Sequence, residues 1–201
     1  MKPKIQLAVL QIRTTADIIQ LHTERLRLRP LCAGDSHTVE ALDKDPRVMA
    51  AFGVGYSRER SRAWLDKQLA HWQDQGFGRF LVSCDDEFVG LVGLSRSDFD
   101  AGIVPGVEIA WRLVFARWGR GYATEAAQAV IRDGFDRLGL DEIVGITTPH
   151  NVRSRRVMDR LRMVHSPSET FEHPLVPEGP LRTHVMYRLS RRRMKSVTVS
   201  R

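Results

Sequence analysis

The order of elements along the chain predicts an α+β domain, a mixed β-sheet with helices packed on its faces. Strand-like alternation comes first in a run, at 79–84, 88–94 and 107–115, with successive side chains on opposite faces. From residue 124 onward, segments of helical spacing alternate with strand-like ones up to the C-terminal region, as expected of helices covering a sheet. The 201 residues, 42% of them hydrophobic, suffice for one ordinary core and not for two full domains. One domain is therefore expected over 23–190, with an N-terminal extension at 1–22 and a basic tail at 191–201.

In order, residues 24–29 put Leu26 and Leu28 on one side of a half-buried strand that Pro30 ends. Asp35 or Ser36 can cap a short helix reaching Leu42. Ser57 can cap a longer one whose apolar face is Ala63, Trp64, Leu65, Leu69 and Trp72. Asp85, Asp86 and Glu87 suit a hairpin between the strands at 79–84 and 88–94. In the next strand Val107, Ile109, Trp111 and Leu113 point one way and Glu108, Ala110, Arg112 and Val114 the other. A carboxylate thus sits inside an otherwise strand-like run.

Ala127, Val130, Ile131, Phe135 and Leu138 mark a helix starting near Thr124 and stopped by Gly139. After a strand at 143–147, Asn151 or Ser154 opens a helix with an apolar stripe of Val157, Met158 and Leu161. Beside it runs a basic stripe of Arg153, Arg156 and Arg160. Strand-like runs at 163–171 and 184–189 follow.

Cys32 and Cys84 lie far apart with no C-x-x-C neighbour, which points away from a disulfide framework or a metal site and toward a reducing cytoplasm. Both are read as small packing residues. Gln6, Gln11 and Arg13 interrupt the apolar stretch after Lys2 and Lys4, so neither a signal peptide nor a membrane span is expected. The net charge is +7, but Arg191, Arg192, Arg193, Lys195 and Arg201 sit in an acid-free tail and leave the body at only +2. Nucleic acid is therefore not an expected partner, and the tail reads as a solvated, frayed terminus.

The segment W-G-R-G-Y-A-T-E-A at 118–126 carries the chemistry. Gly119 and Gly121 lack side chains, so backbone N–H groups can approach an anion, and the dipole of the following helix adds partial positive charge. A pyrophosphate fits such a turn. No Walker lysine follows, and Thr124 stands where a dinucleotide fingerprint has its third glycine. Guanidinium groups suit phosphate geometry, which singles out Arg117, Arg120, Arg153 and Arg156.

With Trp118, Gly121 and Ala123 in its defining places, the loop resembles the [QR]-x-x-G-x-[GA] coenzyme A loop of the GNAT acetyltransferase superfamily. Tryptophan in the first place is similar to the branch of RimJ- and RimL-type protein N-terminal acetyltransferases. Asn151, Ser154, Val157, Met158, Arg160, Leu161 and Met163 resemble that branch's N-x-x-S-x-x-V-M-x-[KR]-L-G-[FM] helix. So do T-E-R-L-x-L-R-P at 23–30 and H-P-L-V-P-E-G-P-L at 173–181. Arg162 stands where glycine is usual, so a strained or rearranged turn is expected at that helix exit.

The resemblance implies a mostly antiparallel sheet with a splay between the strand at 107–115 and the one starting at Ile143. The pantetheine arm of acetyl-CoA would lie in the gap, against backbone N–H groups of Leu113, Val114 and Phe115. Arg117, Trp118, Gly119, Arg120, Gly121, Tyr122, Ala123 and Thr124, with Asn151, Ser154 and Arg156, would hold the coenzyme. Ser154 would protonate the departing thiolate, Met158 standing where many of these enzymes have a tyrosine. Glu108 is the candidate base, acting through water, with an ion-paired strand carboxylate as the alternative. His150, His173 and His184 are read as structural. The acceptor that the resemblance implies first is a protein N-terminal α-amine, such as that of a ribosomal protein, with a small amine such as a polyamine, amino acid or aminoglycoside as the alternative. A non-catalytic coenzyme A sensor is the rival class, and a two-fold dimer is the base-rate assembly.

Overall fold

A computed structural model describes residues 19–53, 55–96 and 106–198. Among these, β1 (Leu21–His22), β2 (Arg27–Pro30), β3 (Arg79–Cys84), β4 (Glu87–Arg96) and β5 (Val107–Leu113) lie side by side in sequence order. Next come β6 (Glu142–Thr147) and then, with their order exchanged, β8 (Thr183–Ser190) and β7 (Val164–Glu172). Every neighbouring pair is antiparallel except β5 and β6. Between those two the chain makes the crossover a parallel pair requires, through α4 (Tyr122–Asp136). The sheet is thus mixed and mostly antiparallel, as expected.

Helices cover both faces. On one, α1 (Ser36–Lys44), α2 (Pro46–Met49) and α3 (Arg58–Gln75) bring Val39, Leu42, Val48 and Leu65 onto Leu81 and Leu91 of β3 and β4. On the other, Ala126, Ala127, Val130, Ile131 and Phe135 of α4 pack with Phe80, Val92, Leu94 and Ile109. α5 (Val152–Arg160) adds Met158 to the same cluster. Phe135 is 1% exposed, and truncating it to alanine would cost about 3–5 kcal/mol.

The alternation within β5 holds. Val107, Ile109 and Leu113 are buried in the α4-side cluster with Trp111 against it, which turns Glu108, Ala110 and Arg112 to the α1–α3 side. Ser57 Oγ accepts from the Arg60 amide at 3.3 Å as the cap of α3. Asp85 and Asp86 both take left-handed φ values, 50° and 61°, the conformation a two-residue hairpin turn demands.

Several expectations need correction. α4 starts at Tyr122, upstream of Thr124, because Gly121 at φ 82° opens the helix by backbone conformation instead of a side-chain cap. Ala63 is exposed, and the buried stripe of α3 runs through Ser61, Leu65, Gln68 and Trp72. Asp35 does not cap α1; its carboxylate takes the Cys32 amide at 2.8 Å and the Arg29 guanidinium. The domain begins upstream of Thr23, since Leu21 pairs with Leu28 and Ile19 packs on the core. The rest of the N-terminal extension, 1–18, lies outside the described residues.

The basic tail is not frayed at its start. It forms α6 (Arg191–Thr198), anchored by the Arg191 amide and Nε on the Asp141 and Leu140 carbonyls, at 2.8 and 2.9 Å. Residues 199–201 lie outside the described residues. Finally, Cys84 is buried as expected but Cys32 is exposed.

Candidate active site

The turn that leads into α4 is built for an anion. Gly119 and Gly121 take φ of 76° and 82°, a region that glycine enters without strain. A Cβ on Gly119 would meet nothing within 4 Å, so the loop faces open space there. The first helical amides have no carbonyl a turn behind them and point out of the helix end. Beside them Thr124 Oγ1 is buried without a hydrogen-bond partner. An orphaned buried hydroxyl next to free helix amides fits the pyrophosphate of coenzyme A.

β5 and β6 pair at Glu108 and Val144, the one register position the described residues show for them. Beyond it the parallel strands part. The gap continues into a groove of about 570 Å³ with Trp111 and Leu113 on one side and Thr148, His150, Asn151 and Ser154 on the other. The Val114 amide donates to the Val89 carbonyl of β4 at 3.0 Å. Strand alternation therefore turns the Leu113 amide to the opposite edge, into the gap. Leu113's own carbonyl, on that edge, accepts from Trp118 Nε1 at 2.8 Å.

The groove gathers most of the coenzyme-binding residues expected from sequence: Leu113, Arg117, Trp118, Gly119, Gly121, Tyr122, Ala123, Thr124, Asn151, Ser154 and Arg156. Three fall elsewhere. Val114 has its amide tied into the sheet and packs among the α1–α3 cluster. The Phe115 ring is exposed, under the Arg47 guanidinium at 4.0 Å and beside Trp118. Arg120 lies outside the groove wall and lends its carbonyl to Arg25.

Among the arginines, Arg117 is ion-paired with Glu87. Arg153 sits 5.0 Å over the Trp118 ring, on the same stripe of α5 as Arg156 and Arg160, all three facing the groove. Asn151 Oδ1 accepts the Ser154 amide at 3.2 Å, so its carboxamide is the cap of α5 as well as a piece of the wall.

Glu108 is not brought together with Ser154. It stands at the one paired position of β5 and β6 and faces a separate cavity of about 340 Å³, shared with His71, Asp74, Arg79, Ser95 and His173. His173 and His184 lie with rings 4.8 Å apart in the β7–β8 hairpin. Burial pushes both below the ordinary histidine value, and for His173 the neighbouring His184 adds to that.

Sequence patterns missed Arg112. It reaches from β5 under α2, with Nη1 2.5 Å from Asp43 Oδ1 and 3.6 Å from Met49 Sδ, and its guanidinium lies 4.7 Å over Trp64. Burial lowers its pKa while Asp43 opposes the shift. The alternation in β5 placed Arg112 on the Glu108 face, but nothing local announces a partner on α1.

Fold and site together define an acetyltransferase. Residues 25–164 match the acetyltransferase (GNAT) domain, and the chain belongs to that family. It is 31% identical over 180 residues to the FsC-acetyl coenzyme A-N(2)-transacetylase of Aspergillus fumigatus, covering 85% of this chain and 76% of that protein. To the spermidine N(1)-acetyltransferase of Escherichia coli it is 30% identical over 146 residues, 68% of this chain and 71% of the relative. The structure of RimL, the ribosomal L7/L12 α-N-protein acetyltransferase, in complex with coenzyme A superposes with a TM-score of 0.70 at 17% identity, covering 86% and 98% of the two chains. That likeness shows the fold. No group of His, Cys, Asp and Glu suited to a metal ion occurs among the described residues, and no described helix is long and apolar enough to cross a membrane.

Proposed function

We infer that this N-acetyltransferase moves an acetyl group from acetyl-CoA directly to the primary amine of a small molecule. The observation that carries the reading is the groove itself, which runs from the glycine-opened end of α4 into the splay. Arg153, Arg156 and Arg160 with the first amides of α4 would take the phosphates, and Thr124 Oγ1 would gain the partner it lacks. The Leu113 amide faces the gap where a thioester carbonyl would lie and would stabilise the negative charge that develops on its oxygen.

Ser154, on the opposite wall, would give its proton to the leaving thiolate. Glu108 would accept the amine's proton only through a water relay, since it lines a separate cavity and not the groove. No cysteine nucleophile is required: Cys84 is buried behind the groove wall, its Sγ 3.6 Å from the Tyr122 hydroxyl, and does not line the groove. A small acceptor is favoured over a protein N-terminus because two of the relatives at about 30% identity are named for FsC N(2) and spermidine.

The deciding experiment is thiol release from acetyl-CoA against polyamines, amino acids, aminoglycosides and N-terminal peptides. Selective turnover on a small amine is expected. Turnover on peptides alone would move the acceptor to a protein, and coenzyme A binding with no turnover on any amine would replace the enzyme by a sensor.

A further inference from the structure

Among the described residues the groove wall holds six arginines, one histidine and no carboxylate. That asymmetry exceeds what the coenzyme phosphates need. Three of the arginines, on α5, face the phosphate end. Of the others, Arg117 is paired with Glu87, and Arg47 is held by Asp45 through two bonds of 2.8 and 2.7 Å. Arg112 stands apart, on the α2 side among Phe52, Met49 and Trp64.

Its ion pair is incomplete. Nη1 lies 2.5 Å from Asp43 Oδ1, yet that oxygen makes no properly directed hydrogen bond, its partner Oδ2 being engaged by Ser61 Oγ at 2.7 Å. Nη2 is buried with no partner at all. Guanidinium and carboxylate groups ordinarily meet fork to fork, and a buried N–H left unmade is costly. Stability does not account for the pair either, because buried ion pairs are commonly replaceable by apolar side chains without loss. Arg112 is therefore a buried cation on the α2 side of the groove wall with one donor nitrogen, Nη2, still to be satisfied, which a carboxylate oxygen would do.

We propose that Arg112 is the acceptor-recognition residue of this enzyme and that it reads a carboxylate close to the reacting amine, so that the acceptor is an amino acid or a derivative that keeps its carboxyl group. This deepens the small-amine reading and rests on it for the transfer step. Leu113, whose amide faces the thioester position, is the next residue along β5, so the residue that would read the carboxylate and the site of transfer lie on one strand. A polyamine, cationic throughout, would enter a wall with no carboxylate to receive it.

The test uses protein saturated with coenzyme A, so that the α5 arginines are occupied. N-acetyl-leucine and N-acetyl-leucinamide, product-like probes that differ in the carboxylate, are titrated by tryptophan fluorescence, Trp64 lying against Arg112. The acid is expected to bind at least roughly tenfold more tightly than the amide, the worth of one charged hydrogen bond. Arg112→Lys should erase the preference. So should the double variant Arg112→Met/Asp43→Asn, which leaves no unpaired buried charge and guards against misfolding; unchanged coenzyme A affinity certifies both. Equal binding of acid and amide, binding of neither, or a preference that survives both variants overturns the proposal. A preference lost in the variants, with no acetylation of leucine or any other amine, would sustain Arg112's role and sink the enzyme reading instead.

Discussion

Arg25 and Glu125 hold the coenzyme loop from behind: Arg25 Nε donates to Glu125 Oε2 at 2.7 Å and the Arg25 amide to Oε1 at 3.0 Å. Thr23 Oγ1 donates to the same Oε1 at 2.6 Å, and Arg25 Nη1 reaches the Arg120 carbonyl at 3.2 Å. The guanidinium also lies 4.7 Å over the Tyr122 ring. The turn between β1 and β2 is thereby fastened to the first turn of α4, and the two sequence segments 23–30 and 118–126 become one structure.

Glu125→Ala should therefore disturb coenzyme binding more than chemistry. Burial alone would raise the Glu125 carboxyl, but hydrogen bonds from Thr23 and Arg25 outweigh it and hold the group below the usual carboxylate range. Without them the loop loses its fixed approach to the phosphates. KM for acetyl-CoA should rise roughly three- to tenfold, about one net hydrogen bond, with kcat nearly unchanged. Steady-state kinetics in acetyl-CoA check this; a fall in kcat at constant KM would place Glu125 in the chemistry.

Ser154 and Glu108 should separate in their pH behaviour. With Ser154 as the proposed proton donor for the thiolate, Ser154→Ala should lower kcat about 10²-fold, leaving the affinity for acetyl-CoA within a few-fold. Glu108→Gln should lower kcat/KM for the amine by about 10²-fold and remove the acidic limb of its pH profile, since that limb reports the free enzyme's base. An acidic limb that persists in the glutamine variant would assign the base to a group other than Glu108.

The His173–His184 pair makes the β7–β8 end sensitive to acid. Both groups are held below the ordinary histidine value, by burial first. The unfolded chain therefore binds more protons than the folded one as pH falls past about 6.5. Their contribution is fully present above that value and is lost as pH drops through the depressed folded values. Melting temperature should fall between about pH 7.5 and 5.5, and His173→Gln/His184→Gln should flatten that slope. An equal slope in the double variant would assign the acid sensitivity to other groups.

What the sequence made legible was local. Alternation in β5 placed Glu108 and Arg112 on one face, and Ser57 and Asn151 cap their helices as their side chains suggest. The remainder depends on partners distant in the chain. Asp43 approaches Arg112 from α1, which no spacing rule connects to β5. Composition read the basic tail as solvated, yet Arg193 Nε reaches the Arg162 carbonyl at 3.0 Å, because an arginine can satisfy an exposed carbonyl whatever its neighbours' charge. Gly121 opens α4 without a side-chain cap, so a rule that seeks capping side chains sets the start two residues late.

Arg162 offers a test in the opposite direction, a gain of stability. It holds φ 60°, left-handed backbone that a side chain adopts at a cost. The Met163 amide bonds the Met158 carbonyl at 3.1 Å across this turn, closing α5 as a glycine-type C-cap does. Arg162→Gly would relieve the strain but would also loosen the unfolded chain, so the net gain should be about 0.5–1 kcal/mol. The bond to Arg193 uses the Arg162 carbonyl and survives the change. Because the turn leaves α5 at the end opposite Ser154, kcat and KM should not move. Urea unfolding of the two proteins measures the gain directly; no stabilisation would mean that the arginine side chain contributes as much to the fold as its backbone strain takes away.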